Sequence, residues 1–189
     1  MKNNYIDDGI RERLIISGIK EIENHGLNDF SLRRVASACD VSCAAPYRHY
    51  KNKDELILEI IRYINSRFAL IANQAMSAYK DDAAKQITEL AVMSARFLVG
   101  NGNYTSVILP IGCGMTEEQK SERKKFFDIL EELVKRQKGN ADSEKTLYIV
   151  KTYIYGTVLE LCEADEETCE KRIATMREEL MKIIKNNVG

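Results

Sequence analysis

The chain has no tryptophan, two prolines and two histidines in 189 residues. Each shortage excludes something. With so few prolines and only ten glycines, helices can run long without interruption. Apolar residues recur at spacings of three and four, so the chain reads as all-α. An enzyme built on a helical bundle would need clustered acids and histidines, or a nucleophile with a base. Here His49 lies in a basic motif, His25 lies at a helix end, and no Glu-x-x-His motif occurs. The chain therefore reads as a non-enzyme with no cofactor and no metal. No apolar run approaches the roughly 20 residues that cross a bilayer. Met1-Lys2-Asn3-Asn4-Tyr5 leads into charged residues, not the apolar core of a signal peptide. The expectation is a cytoplasmic protein with no membrane partner. The five cysteines (Cys39, Cys43, Cys113, Cys162 and Cys169) are odd in number and scattered, which argues against a disulfide framework. Cys39, Cys43 and His49 fit no common zinc spacing, so the two thiols read as packing residues.

What is present is concentrated in residues 31–53. Ser31 is a helix cap, and Leu32, Val35 and Ala36 follow at helical spacing. Ala38-Cys39-Asp40-Val41 closes that helix, with Asp40 where the backbone needs a left-handed residue. Ser42 is a second cap, and a second helix is expected to begin Cys43-Ala44-Ala45-Pro46, the proline being tolerated in a first turn. Small side chains at 43–45 suit close approach to base edges, where an alanine can meet a thymine methyl. Tyr47, His49 and Lys53 are of the types that fix phosphates, and Arg48 lies on the same exposed side. Five cations (Arg33, Arg34, Arg48, Lys51, Lys53) stand against one acid (Asp40), a local net charge of +4 in a chain of −1 overall. Cations on a short helix are most simply a solvated face. The run Tyr47-Arg48-His49-Tyr50-Lys51-Asn52-Lys53 beside a helix-turn-helix pattern favours a reader of duplex DNA.

Residues 10–60 resemble the TetR family of transcriptional repressors. Val41-Ser42-Cys43-Ala44-Ala45-Pro46-Tyr47-Arg48-His49-Tyr50-Lys51-Asn52-Lys53-Asp54-Glu55-Leu56 is similar to that family's recognition helix and the start of its fourth helix. Gly26 matches the glycine after its first helix, and Val35-Ala36 an apolar pair in its second. The resemblance implies that Arg33 touches DNA from the second helix, that Cys43, Ala44 and Ala45 lie at the bases, and that Tyr47, His49 and Lys53 bind phosphate; Ser42 and Arg48 complete the expected set of DNA-binding residues. Asp40 departs from the common turn glycine, and Pro46 from a common leucine. The resemblance also implies a three-helix head over residues 1–52 and a ligand-binding, dimerising helical body over 53–189.

The rest of the chain is patterned as that body would be. A helix over about 7–25 ends at His25-Gly26. An unbroken apolar pattern over 53–79 (Ile57, Ile60, Ile61, Ile64, Phe68, Ile71, Ala75, Tyr79) predicts a rod of about 40 Å. Asp81 or Asp82 starts a further helix. Gly100-Asn101-Gly102-Asn103 breaks it, and Pro110 and Gly112 end a short apolar run. Thr116 caps a helix expected to end near Gly139. The next, over 143–162, has two apolar faces: Leu147, Val150, Ile154, Val158 and Leu161, and Tyr148, Tyr155, Leu159 and Cys162. The last, over 166–186, carries a heptad seam of Cys169, Ile173, Met176, Leu180 and Ile183. A homodimer interface is expected on Ile154, Val158, Leu161, Cys169, Ile173, Met176, Leu180 and Ile183, since a two-fold protein suits a palindromic operator. Met93, Arg96, Phe97, Tyr104, Ile108, Phe127 and Tyr148 are candidates for an effector pocket, with Arg96 either meeting an anion or pairing with an acid. The function expected is a dimeric repressor that binds a double-stranded, palindromic operator and is released by a small-molecule effector. The competing readings are a bundle enzyme and a dimerising adaptor with an idle head.

Overall fold

The computed structural model describes residues 3–109, 114–161 and 163–186. Among the described residues eight α-helices carry the fold: α1 (Asn3–His25), α2 (Leu32–Ala38), α3 (Lys53–Ala78), α4 (Ala83–Val99), α5 (Gly102–Ile108), α6 (Glu117–Lys124), α7 (Asp128–Leu161) and α8 (Glu166–Asn186). Short 3₁₀ turns cover Pro46–Arg48 and Lys125–Phe127. The helix starts are set by side chains. Ser31 Oγ accepts from the Arg34 N–H, Asp82 Oδ1 from the Lys85 N–H at 2.9 Å, and Asp165 Oδ1 from the Thr168 N–H at 2.7 Å. That last bond holds the Asp165 carboxyl below its ordinary pKa.

Two compact units divide the chain: Met1–Ser66 with Asn103–Lys124, and Arg67–Gly102 with Lys125–Gly189. In the first, Leu14, Ile19 and Ile22 of α1 are buried, as are Leu32 and Val35 of α2 and Leu56, Ile57, Ile60, Ile61 and Ile64 of α3. In the second, α4 packs on both α7 and α8. The rings of Phe68, Phe97, Phe126 and Phe127 cluster there, with Phe68 stacked on Phe126 at 4.3 Å and Phe127 edge-on to Phe126 at 4.9 Å. Arginines close its surface: Arg177 pairs with Glu89 at 2.9 Å, Arg96 with Glu170 at 2.5 Å, and Arg172 with Glu160 at 2.6 Å.

Three expectations change. The helix predicted to stop at Gly139 does not stop: α7 runs through that position to Leu161. A single glycine costs a helix only about 1 kcal/mol, which the packing on both sides outweighs. In α3 the buried stripe passes through Ala72, and Ile71 lies outside it, 37% exposed. The heptad seam on α8 is real, and most of it is covered within the chain itself. Ile173, Met176 and Leu180, together with Ile154, Val158 and Leu161 of α7, are all at most 2% exposed within one chain. Cys169 and Ile183 are half-buried. Sequence spacing defines an apolar stripe but not what covers it, and α4 with α7 covers this one. The other face of α7 is outward, with Tyr148 73%, Tyr155 38% and Leu159 58% exposed. Pro110, Gly112 and Cys162, which the sequence reading also used, lie outside the described residues.

Candidate nucleic-acid interface

The reading head is built around one tight corner. After α2, the Asp40 N–H donates to the Ser37 carbonyl and the Val41 N–H to the Ala36 carbonyl, both at 3.1 Å. These are the two bonds of a Schellman stop. It requires a left-handed residue, and Asp40 supplies it with φ +53°. Arg13 of α1 also donates to the Cys39 carbonyl, and the buried Cys39 thiol donates to Ser17 Oγ at 3.1 Å. Cys39 is thus part of the α1–α2 packing, while Cys43, past the corner, is exposed.

The second helix of the motif is not an α-helix. Pro46 has no N–H to give the Ser42 carbonyl, which instead accepts from Ala45 at 2.8 Å. Arg48 then bonds back to Ala45 at 3.1 Å and His49 to Pro46 at 3.0 Å, so Pro46–Arg48 winds as a 3₁₀ turn. The N-cap of this turn is Ala45, with no side-chain cap bond. The turn is anchored from beneath by Pro46 and Tyr50, both buried. Burial raises the Tyr50 phenol pKa, and the Arg11 guanidinium sits 6.0 Å from its ring centre.

The residues singled out for DNA come to the surface together. Arg33, Ser42, Cys43, Ala44, Tyr47, Arg48 and Lys53 are exposed; Ala45 and His49 are half-buried. Tyr47 is 60% exposed, its ring and hydroxyl open to a partner. Arg33, Arg48, Lys51 and Lys53 have no carboxylate partner among the described residues. Arg34 is different. Its Nε donates to Glu21 Oε1 at 2.7 Å, it also donates to the Asp29 carbonyl, and Glu21 additionally accepts the Ser31 N–H at 3.1 Å. Glu21 is 6% exposed and raises the Arg34 pKa through that bond. Sequence reasoning grouped Arg34 with its neighbour; the structure gives it to the α1–α2 joint. The signal missed was Glu21, a carboxylate on an otherwise apolar helix face.

Two bonds then fix the start of α3. Asn52 Oδ1 accepts from the Glu55 N–H at 3.0 Å, and Glu55 Oε2 from the Lys51 N–H at 2.5 Å. This reciprocal cap holds Lys51 and Lys53 on either side of a rigid corner. Of the pocket candidates in the second unit, Phe97 and Phe127 join the aromatic cluster and Met93 is half-buried. Arg96 is exposed and paired with Glu170, and Tyr148 is on the outside. Tyr104 and Ile108 fall in the first unit.

Comparison with known proteins agrees with this geometry. The whole fold is similar to FadR, the fatty acid degradation regulator of Bacillus halodurans (17% identity, 90% of this chain and 97% of that one, TM-score 0.70). It is similar to FadR of Bacillus subtilis, determined with stearoyl-CoA (13%, 92% and 96%, 0.69). It is also similar to a TetR-family transcriptional regulator of Streptomyces coelicolor (18%, 92% and 95%, 0.68). No curated protein sequence matches the chain. Residues 14–60, which hold the corner and the turn described above, match the family model described as bacterial regulatory proteins, tetR family.

Proposed function

We propose that the protein is a homodimeric repressor that binds a palindromic DNA operator and leaves it when a small molecule occupies its helical body. The observation that carries the reading is the exposed set Arg33, Arg48, Lys51 and Lys53, with no carboxylate partner among the described residues, around a turn of small side chains. Unneutralised cations release counterions from DNA, and small residues let backbone approach base edges. In this reading residues 1–52 read the operator and 53–189 dimerise and take the effector. Arg33, Tyr47, Arg48, His49 and Lys53 hold the backbone, while Ser42, Cys43, Ala44 and Ala45 face the bases.

The dimer contact belongs to the outward face of α7. Tyr148, Thr152, Tyr155 and Leu159 recur at four, three and four and are all exposed. Beside them Gly156, Thr157, Arg172 and Thr175 line a groove of about 330 Å³. A helix apolar on two sides is covered on two sides. For the effector, Met93, Phe97 and Phe127 supply apolar walls. One protein of similar fold is a fatty acid degradation regulator and another is a transcriptional regulator determined with stearoyl-CoA, so a long-chain acyl thioester is the first effector class to assay. The effector acts only through its preference for the released state over the bound one.

Selection of bound duplexes from a random pool tests the reading. The expected result is a two-fold sequence whose half-sites lie a helical turn of about 34–36 Å, or a multiple of it, apart. A pool that stays random contradicts it.

A further inference from the structure

Residues 103–124 are separated from the head by the whole of α4, yet they fold in the same unit as residues 1–66. Gln119, 1% exposed, carries the tightest contact. Its Nε2 donates to the Asp54 carbonyl in the first turn of α3 at 2.8 Å. Its Oε1 accepts the Thr116 N–H at 2.9 Å, and its own N–H bonds Thr116 Oγ1 at 3.2 Å. The amide is therefore held at both ends: the capping box sets where the side chain starts, and Asp54 sets where it finishes. Asp54 directly follows Lys53. Further along, Asn65 Nδ2 donates to the Glu122 carbonyl at 2.9 Å, and Arg62 reaches Glu118 at 3.5 Å. At the other end, Gly114 has φ +109°, and a Cβ there would overlap the Asn28 side-chain oxygen. Asn28 lies in the turn before Ser31, the cap of α2.

We infer that Gln119 is a positioning residue of the DNA-reading head, supplied by α6: through the Asp54 carbonyl it sets the first turn of α3, and with it Lys53. The seat of Asn28 against Gly114 holds the entry to α2, and with it Arg33. The inference rests on the head being a DNA reader. It makes DNA grip and the order of residues 114–122 two ends of one equilibrium, so each must respond to the other.

Hydrogen exchange on the full chain, free and with the duplex selected above, tests it without an effector. In the wild type, amides of 114–122 slow several-fold on DNA binding, although they lie outside the recognition motif, while amides of α8 serve as the control for general stabilisation. Gln119→Met keeps the side-chain length and loses the donor. It should bind the duplex about three- to ten-fold more weakly, as one lost hydrogen bond implies, with its salt slope unchanged because no phosphate contact is removed. It should also lose the slowing at 114–122. Asn28→Ala, at an exposed position that does not threaten the fold, should reduce it partially. If the duplex binds and exchange at 114–122 is unchanged, or slows only as much as α8, the inference is overturned and the DNA reading stands. If no duplex binds, both fall.

Discussion

The cations of the recognition motif and those of the second unit are handled in opposite ways. In the second unit Arg96, Arg172 and Arg177 each end on a carboxylate, and α8 adds Lys171 on Glu167 and Lys182 on Glu179. In the head, Arg33, Arg48, Lys51 and Lys53 end on none among the described residues, whereas Arg34 is turned to a joint between helices and Arg11 pairs with Glu59 at 3.8 Å. Paired charge is architecture, since its field is cancelled locally. Unpaired charge of one sign on one face is a field that a polyanion can answer. A chain of net charge −1 binds DNA by arrangement, not by excess.

The comparison can be broken most violently in the second unit. Leu180→Glu places a charge at a site 0% exposed and should cost about 3–5 kcal/mol. Urea unfolding reads this as a large fall in midpoint; an unchanged midpoint would mean the seam is not buried within the chain. Leu159→Glu, on the outward face of the neighbouring helix, should leave the fold intact and shift sedimentation from dimer to monomer. A dimer that persists places the interface elsewhere.

In the head, Ala44→Leu should change which duplex is selected, by about 1–3 kcal/mol per altered base pair, with little effect on non-specific binding. An identical selected sequence would show that residue 44 does not face bases. A smaller effect is expected at Arg34→Gln. It should lower the head's thermal midpoint and weaken duplex binding while leaving the salt slope as it was. A slope reduced by about one would make Arg34 a phosphate contact after all.

The smallest effect is electrostatic. The bond from Arg96 holds the Glu170 carboxyl below its ordinary pKa. A depressed folded pKa adds stability above the unfolded pKa that is lost as pH falls through the folded value. Glu170→Gln should therefore be slightly less stable than wild type near pH 7, and the gap should close as acid protonates the wild-type carboxylate. A gap that persists in acid would mean the side chain matters for packing rather than charge.

Much of this was legible in the sequence, for physical reasons that differ by element. Ser31, Asp82 and Thr116 announce helix starts because capping is local chemistry, and Asp40 announces the corner because only a few residue types tolerate its backbone. The exposed cations follow from counting charges in one short run. The 3₁₀ turn at Pro46 was only half legible. Proline's missing N–H was visible, but whether the helix survives it depends on the buried seats of Pro46 and Tyr50. Long-range partners were not legible at all. Nothing local says that α4 covers the α8 seam, that Glu21 takes Arg34, or that Gln119 reaches Asp54 from 65 positions away.

The most direct test is the salt dependence of duplex affinity for the wild type and for a variant with Arg33, Arg48, Lys51 and Lys53 all changed to Gln. If these cations neutralise phosphates, each removes about 0.9 from the slope of log affinity against log salt. The variant's slope should then fall by about three to four per subunit while α-helical content and melting are retained. A folded variant with the wild-type slope would contradict the account, because the grip on DNA would then lie somewhere other than the unpaired face of the head.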